Sequence, residues 1–401
     1  SWGRAQDNPA PTVSCPHRPP RLANHLFGGL RNCFLERYNM CPMPSVTQET
    51  ILAALSKIQD PDLHRDIVSL GFVQNIKIDD SKVALDIVLT TPACPVKDQM
   101  REEATKLVSA IPGVSSVKIN MTSNVTQGRS QVRENYIPEV KNTIAVSSGK
   151  GGVGKTTVSV NLAVALAQTG ATVGLLDADI YGPNVPLMMG VKHPQEGSAE
   201  NKIKPAERYG VKVMSIGFFV PEDQPIVWRG PMIHGAIQQF LRDVEWGQLD
   251  YLIVDLPPGT GDAQLSIAQL VPMTGAVIVT TPQDVALLDS RKGLEMFKKV
   301  NVPLLGIVEN MSTFVCPHCS KTTEIFSHGG GQKAAEKLDV PFLGEVPIDP
   351  QIRQGGDEGR PIVIANPDSP QAKAFVAIAG KVAQQVSILN AAAPVELKII
   401  Q

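Results

Sequence analysis

The segment Gly149-Lys-Gly-Gly-Val-Gly-Lys-Thr156 puts four glycines, two lysines and a hydroxyl within eight residues. Its spacing, Gly149-x4-Gly154-Lys155-Thr156, is that of a phosphate-binding loop. Glycines let successive backbone N–H groups turn inward on phosphate oxygens. A helix opening at Lys155 adds the positive end of its dipole. In that geometry Lys155 meets the β- and γ-phosphates of ATP and the Thr156 hydroxyl ligates Mg²⁺. Gly149, Gly151, Gly152, Val153, Gly154, Lys155, Thr156 and Thr157 are therefore the expected nucleotide contacts. Tyr251-Leu-Ile-Val-Asp255 reads as an apolar strand ending in a carboxylate, and Asp255 is expected to hold Mg²⁺ through water. The run Leu256-Pro-Pro-Gly-Thr-Gly-Asp262 after it has the composition of a switch loop.

A second chemistry is carried by Cys316-Pro-His-Cys319. Two thiolates three residues apart chelate one soft metal centre, whereas Zn²⁺ or a [4Fe–4S] cluster wants four ligands. One chain offers this single close pair, so a symmetric dimer would supply two plus two on its axis. A redox pair or half of a structural zinc site are the alternatives. His318 reads as a solvated loop residue rather than a ligand. Cys94 ends a strand just before a helix starting near Pro95, whose dipole is expected to lower the thiol pKa and make it an accessory cluster or thiol site. A buried small residue in a turn is the other reading of Cys94.

The elements that must position these groups fall into two patterns. Ser45 and Gln48 fit a capping box ahead of the helical spacing Ile51, Leu52, Leu55, Ile58. Ile76 and Ile78, then Val83, Leu85, Ile87 and Leu89, alternate on either side of residues 79–82, which predicts a β-hairpin. A helix over 95–110 and a strand over 114–120 complete a small α-β-β-α-β domain at 45–122, with a linker at 123–139. From Lys141 onward short apolar runs alternate with helical patterns. Strands are expected at 143–147, 172–176, 211–216, 251–255, 276–280, 304–308 and 342–346. Such runs suit strands buried on both faces, and predict a doubly wound, mostly parallel α/β P-loop domain over 140–389. Its last helix is expected at 369–389, followed by a tail to 401.

Composition bounds the rest. The chain has 401 residues, 43% apolar and 19% charged, the balance of a globular protein. A formal net charge of −2 gives no global attraction to nucleic acid or an anionic membrane. No run of eighteen apolar residues suggests a membrane span. Six cysteines are too few for a disulfide scaffold and favour a reducing compartment. Residues 1–44 are Pro- and Arg-rich, and read as a disordered or spurious extension, or alternatively as a transit peptide. The expected location is accordingly cytoplasmic, with plastid or mitochondrion as the alternative.

With these motifs in view, Lys150 resembles the signature lysine of the MinD/ParA/nitrogenase-iron-protein group of deviant Walker-A ATPases. The resemblance implies an ATP-sandwich homodimer in which Lys150 reaches the partner's nucleotide. Asp179, in Asp177-Ala-Asp-Ile-Tyr-Gly-Pro-Asn184, resembles the switch I carboxylate that positions attacking water. Asp177 is either part of that chemistry or a strand-end cap. Asn310, in Val308-Glu-Asn-Met311, resembles the family asparagine that reads adenine. Together with Cys316-Pro-His-Cys319, the set is similar to the Mrp/ApbC family of iron–sulfur cluster carrier ATPases. Asp60-Pro-Asp62 and Thr90-Thr-Pro-Ala-Cys94-Pro95 resemble the small iron–sulfur assembly domain fused in front. The resemblance implies a slow ATPase that holds a labile [4Fe–4S] cluster across a homodimer. It would receive the cluster from scaffold proteins and pass it to apoproteins. A MinD-like membrane organiser predicts a basic amphipathic C-terminal helix, but residues 371–389 carry only Lys373 and Lys381. A reductase like the nitrogenase iron protein and a zinc-stapled adaptor are the remaining alternatives.

Overall fold

The computed structural model describes residues 46–128, 135–194, 202–219, 230–316, 318–319 and 321–392. The 1–44 extension, Ser45, residues 129–134 of the linker and the end of the tail lie outside the described residues.

Helix α1 (Gln48–Leu55) opens the small domain. Its N-cap is Thr47, whose side chain accepts from the Thr50 N–H while Thr50 answers to the Thr47 backbone. The capping box thus lies later than Ser45–Gln48, because Thr47 is the last residue with extended backbone before the helix. A two-residue ladder, β1 (Gln59–Asp60) with β2 (Arg65–Asp66), is folded around the Asp60 side chain, whose Oδ1 accepts from the Asp62 and Leu63 N–H groups. Strands β3 (Val73–Asp79) and β4 (Lys82–Leu89) form the predicted hairpin. Helix α2 (Lys97–Ser109) crosses to β5 (Ser116–Ser123), which pairs parallel to β4. Ile51 and Leu55 of α1 and Met100, Ala104 and Val108 of α2 pack on alternate residues of β4, namely Val83, Leu85, Ile87 and Leu89.

The larger domain is built on one nine-stranded sheet. In chain order it contains β6 (Val140–Ser148), α3 (Lys155–Gln168), β7 (Val173–Asp177), α4 (Val185–Met189), β8 (Ala206–Arg208) and β9 (Val211–Ser215). Helix α5 (Gly230–Asp243), β10 (Leu249–Asp255), α6 (Asp262–Leu270), β11 (Gly275–Thr280) and α7 (Asp284–Lys299) follow. Strands β12 (Leu304–Val315) and β13 (Thr322–Thr323), α8 (Gly330–Leu338), β14 (Phe342–Ile348), α9 (Pro350–Asp357), α10 (Ile362–Ala365) and α11 (Pro370–Ala392) complete it. The strand order is β13-β12-β11-β6-β10-β7-β9-β8, with β14 beside β12. All pairings are parallel except those of β8 and β13, short antiparallel additions.

Both faces of the sheet are covered, as the continuous apolar runs require. Ile144, Tyr251 and Ile253 face α3 and α11 in one core, whereas Ala145, Leu252 and Val254 face α5, α6 and α7 in the other. Strand β12 runs to Val315, well beyond the expected 308, so Asn310 sits inside the strand. Helix α11 is long and apolar enough to cross a membrane by composition. It lies against α3 and β14, with Phe375, Ile378, Val382 and Val386 in the core.

The expected linker is not a loose tether. Residues 122 and 123 belong to β5, Val125 is buried in the core of the larger domain, and the Gly128 N–H donates to the Lys141 carbonyl at 2.8 Å. The small domain packs directly on its neighbour. Tyr251 Oη of β10 donates to Thr91 Oγ1 at 3.1 Å, and Gln384 Nε2 of α11 donates to Asp62 Oδ1.

Candidate functional site

Strand β10 inserts between β6 and β7, so their carboxyl ends converge, with Asp255 opposite Val146 on one side and Asp177 on the other. The loop leaving β6 turns into α3 through Gly152 and Gly154, both at φ +80°. A side chain at Gly154 would collide with Asn310, since a Cβ there would lie 2.2 Å from Asn310 Nδ2. Gly151 and Gly152 face open space, so the backbone N–H groups there are accessible to a phosphate.

Lys155 is buried at the start of α3, and its Nζ lies 2.8 Å from Asp255 Oδ2 and 3.8 Å from Asp179 Oδ2. The Thr156 hydroxyl donates to Asp255 Oδ2 at 2.7 Å. Ser159, one helical turn beyond Lys155, donates to Asp255 Oδ1 at 2.6 Å. Both oxygens of the fully buried Asp255 are thereby oriented. Asp179 Oδ1 has no partner among the described residues, and Asp179 faces the cleft. Burial pushes the Asp179 carboxyl above its ordinary range, against the opposing pull of Lys155. This donor set, a hydroxyl, two carboxylates and an ammonium beside a glycine loop, fits Mg²⁺ and a polyphosphate.

Asp177 acts as a strand-end cap. Its Oδ1 accepts from the Asp179 N–H at 3.1 Å, and its Oδ2 from the Val185 N–H at 3.3 Å and the Ser215 hydroxyl at 2.9 Å. It is pushed up to about 8, by burial first and then by the charge of Asp255. Its work is to hold the 178–185 loop.

The loop borders a cleft of about 780 Å³. Gly151, Gly152, Gly154, Lys155, Thr156 and Thr157 are part of its lining, as are the apolar Met188, Met311, Phe314, Pro347 and Ile352 and the charged Asp349, Arg353 and Asp357. Asn310 also lines it, and its Nδ2 donates to the Val153 carbonyl at 2.8 Å. One amide hydrogen is therefore spent on the loop, leaving Oδ1 and one N–H for a base. Val153 itself is buried. Lys150 lies half-buried in the phosphate loop, where its Nζ donates to Gln283 Oε1 of the same chain at 3.3 Å. Gly149 stays in the turn between β6 and the loop.

Cys316 and Cys319 sit where β12 turns back into β13, a hairpin closed by Phe314 opposite Thr323 and Val315 opposite Thr322. The Cys316 N–H donates to the Lys321 carbonyl at 3.0 Å. Cys316 is half-buried and Cys319 exposed, both as free thiols. The backbone N–H groups of His318 and Cys319 point at the Cys316 sulfur and hold its thiol below the usual range. Thiolate character at Cys316 beside an exposed second thiol is what a soft metal centre needs. The same hairpin reaches the nucleotide cleft, since Phe314 and Ile325 are part of its wall.

Cys94 departs from expectation. It lies between the two domains near Gln384 and Ser387 of α11, and burial, reinforced by Asp62 and Asp60, pushes its thiol up. Helix α2 begins only at Lys97, so its dipole has less effect on Cys94 than burial does. Ser159, Ser215 and Gln283 were not singled out from the sequence. Ser159 alone carried a signal, a hydroxyl one turn after Lys155 in an otherwise apolar helix.

This geometry defines a P-loop NTPase with a mostly parallel central sheet. The ParA family model, described as NUBPL iron-transfer P-loop NTPase, matches residues 139–383, and a model described as iron-sulfur cluster assembly protein matches 48–121. The chain is 50% identical over 348 residues to the iron-sulfur cluster carrier protein of Synechocystis, covering 86% of this chain and 99% of the relative. It is 49% identical over 276 residues to the iron-sulfur cluster transfer protein NUBPL of Mus musculus, covering 68% of this chain and 86% of the relative. The ADP-bound nucleotide-binding protein of Archaeoglobus fulgidus shares 40% identity at a TM-score of 0.51, over 59% of this chain and 91% of that one. The chain belongs to the ParA/NUBPL family of iron-transfer P-loop NTPases, within the Mrp/ApbC group, and carries the iron–sulfur assembly domain at its front.

Proposed function

We propose that this protein is an ATP-hydrolysing carrier whose homodimer holds a [4Fe–4S] cluster between two Cys316/Cys319 pairs and releases it to apoproteins after loading from a scaffold. The observation that carries this reading is the β12–β13 hairpin, which bears the thiol pair at its turn and gives Phe314 and Ile325 to the nucleotide cleft. A nucleotide-dependent change in the cleft wall then alters the presentation of the thiols. The names of the relatives support the cargo.

For hydrolysis, Lys155 exchanges its carboxylate partners for the β- and γ-phosphates. Thr156 and Asp255 would hold Mg²⁺, which would offset charge on the phosphate oxygens. Asp179 orients a water for attack on the γ-phosphorus. The bond to the β–γ bridging oxygen breaks, giving ADP and inorganic phosphate. Lys150 leaves Gln283 and reaches the partner's nucleotide, where it stabilises transition-state charge. Turnover is slow until a partner subunit completes the site. A reducing compartment suits an exposed thiolate-held cluster, and we place the protein in the cytoplasm, with plastid and mitochondrion as alternatives.

The test is anaerobic reconstitution with iron and sulfide, reading visible absorbance, iron per dimer and oligomer mass. The expected result is one cluster per dimer, lost in Cys316→Ser and in Cys319→Ser, since each change removes two of four ligands by symmetry. A full cluster retained by either variant, or one cluster per monomer in the parent, overturns the bridged arrangement. Zinc without sulfide at the same thiols would favour the stapled adaptor.

A further inference from the structure

Residues 146–148 form the root of the phosphate loop, and each makes a bond to the segment that follows Asp255. The Val146 carbonyl accepts from the Leu256 N–H at 3.0 Å, and the Ser148 carbonyl accepts from the Gly259 N–H at 3.0 Å. Between them, Ser147 Oγ accepts from Gln264 Nε2 of α6. That amide also donates to the Pro257 carbonyl at 3.2 Å, a contact that fixes which end of the amide carries nitrogen. Gln264 and Ser147 are both buried. Gln264 Oε1 has no hydrogen-bond partner among the described residues. A buried acceptor without a donor is disfavoured, and a rearrangement that brings a donor to it is stabilised accordingly. The adjoining backbone turns at Gly259, which lies at φ +94°, and the N–H groups of Thr260 and Gly261 follow that turn.

We infer that Gln264 is the positioning residue that couples nucleotide at the phosphate loop to the 256–262 segment. Its Nε2 holds the segment to β6, and its free Oε1 accepts the backbone N–H of Thr260 or Gly261 once nucleotide draws that segment inward. It touches no reacting atom and acts through the placement of Asp255 and of the peptide groups after it. The inference rests on the reading of the chain as an ATPase.

The experiment compares ATP turnover, nucleotide affinity and hydrogen exchange of the 256–262 amides in the parent, Gln264→Met, Ser147→Ala and the double variant. Gln264→Met keeps the volume and removes both polar ends. We expect kcat to fall about tenfold or more, because small misplacements near reacting groups are costly. Nucleotide Kd should stay within about threefold, the pattern of a contact made mainly in the transition state. ATP-dependent protection of the 256–262 amides should be lost. The double variant should be no worse than Gln264→Met, since one link cannot be broken twice. Gln264→Glu offers a second route if Met destabilises the fold. It keeps the shape but loses the donor, and its turnover should recover as pH falls and the carboxyl regains a proton.

Unchanged kcat and protection in Gln264→Met would overturn the inference, as would additive losses in the double variant. A parallel fall in affinity, thermal stability and kcat would reduce Gln264 to a packing residue. A parent that binds ATP without turnover would instead defeat the ATPase reading, and amide protection would still decide the role of Gln264.

Discussion

At the scale of single residues, the site is a balance of buried charge. Lys155 is the sole side-chain cation within 4 Å of Asp255 and Asp179 among the described residues. Lys155→Ala is expected to abolish ATP turnover and to weaken nucleotide binding, measured by phosphate release and calorimetry. Unchanged values would sink the phosphate-loop assignment. Asp177 offers a pH test. Its carboxyl sits at about 8 in the folded chain against an ordinary value of 3.8. The native state therefore binds this proton more tightly than the unfolded state. Its contribution to stability is fully present below the ordinary value and is lost as pH rises through about 8. The melting temperature should fall between pH 6 and 8, and Asp177→Asn should flatten that fall. An identical slope in the variant would show that other groups carry it.

At the scale of elements, the loop–helix junction and the thiol hairpin carry the function. Gly154 is the N-cap of α3 in the left-handed region, directly under Asn310. Gly154→Ala meets a backbone penalty of about 1–3 kcal/mol and, in addition, a steric clash with Asn310. We expect a lower melting temperature and loss of ATP affinity together, because the substituent displaces both the loop and Asn310. Retained affinity would mean that the loop adapts. The hairpin depends on the extension of β12 beyond 308, which brings Asn310 to the cleft and the Cys pair to the turn along one strand. Periodicity could not place that strand end. Glu309 and Asn310 interrupt the apolar run and Met311 turns the backbone at φ +57°, yet β12 continues to Val315, where it pairs with β13.

At the scale of the molecule, two arrangements invite measurement. Lys150 touches its own Gln283 in this chain, and its proposed role lies in a partner's site. Lys150→Ala should leave the fold intact and impair hydrolysis. Mixed with a Lys155→Ala subunit, it should give non-additive turnover, whereas rates that simply average would dismiss the sandwich dimer. The docking of the small domain is the other case. Asp62–Gln384 and Thr91–Tyr251 link the domains beside Cys94, and burial of Tyr251 pushes its phenol up to about 12. Loss of either bond should cost about 1 kcal/mol. In a Cys316→Ser/Cys319→Ser background, Gln384→Ala with Tyr251→Phe should raise the alkylation rate of Cys94 several-fold above the background protein. Equal rates would show that the docked face does not shield the thiol.

The sequence by itself determined the chemistry of the phosphate loop, the presence of a Cys-x-x-Cys pair and the alternation of buried strands and helices. These are local properties, since glycine freedom, chelate spacing and apolar periodicity act over a few residues. Only the tertiary structure decided what meets what. Asp255 and Asp177 became neighbours because β10 inserts between β6 and β7, and Ser159 and Gln264 acquired partners across the sheet. Its place before a helix leaves Cys94 open to two readings, an activated thiol or a buried small residue in a turn, and burial beneath a second domain, which pushes the thiol up, favours the second. Burial by a distant element leaves no mark on local spacing, and it outweighs a helix end three residues away.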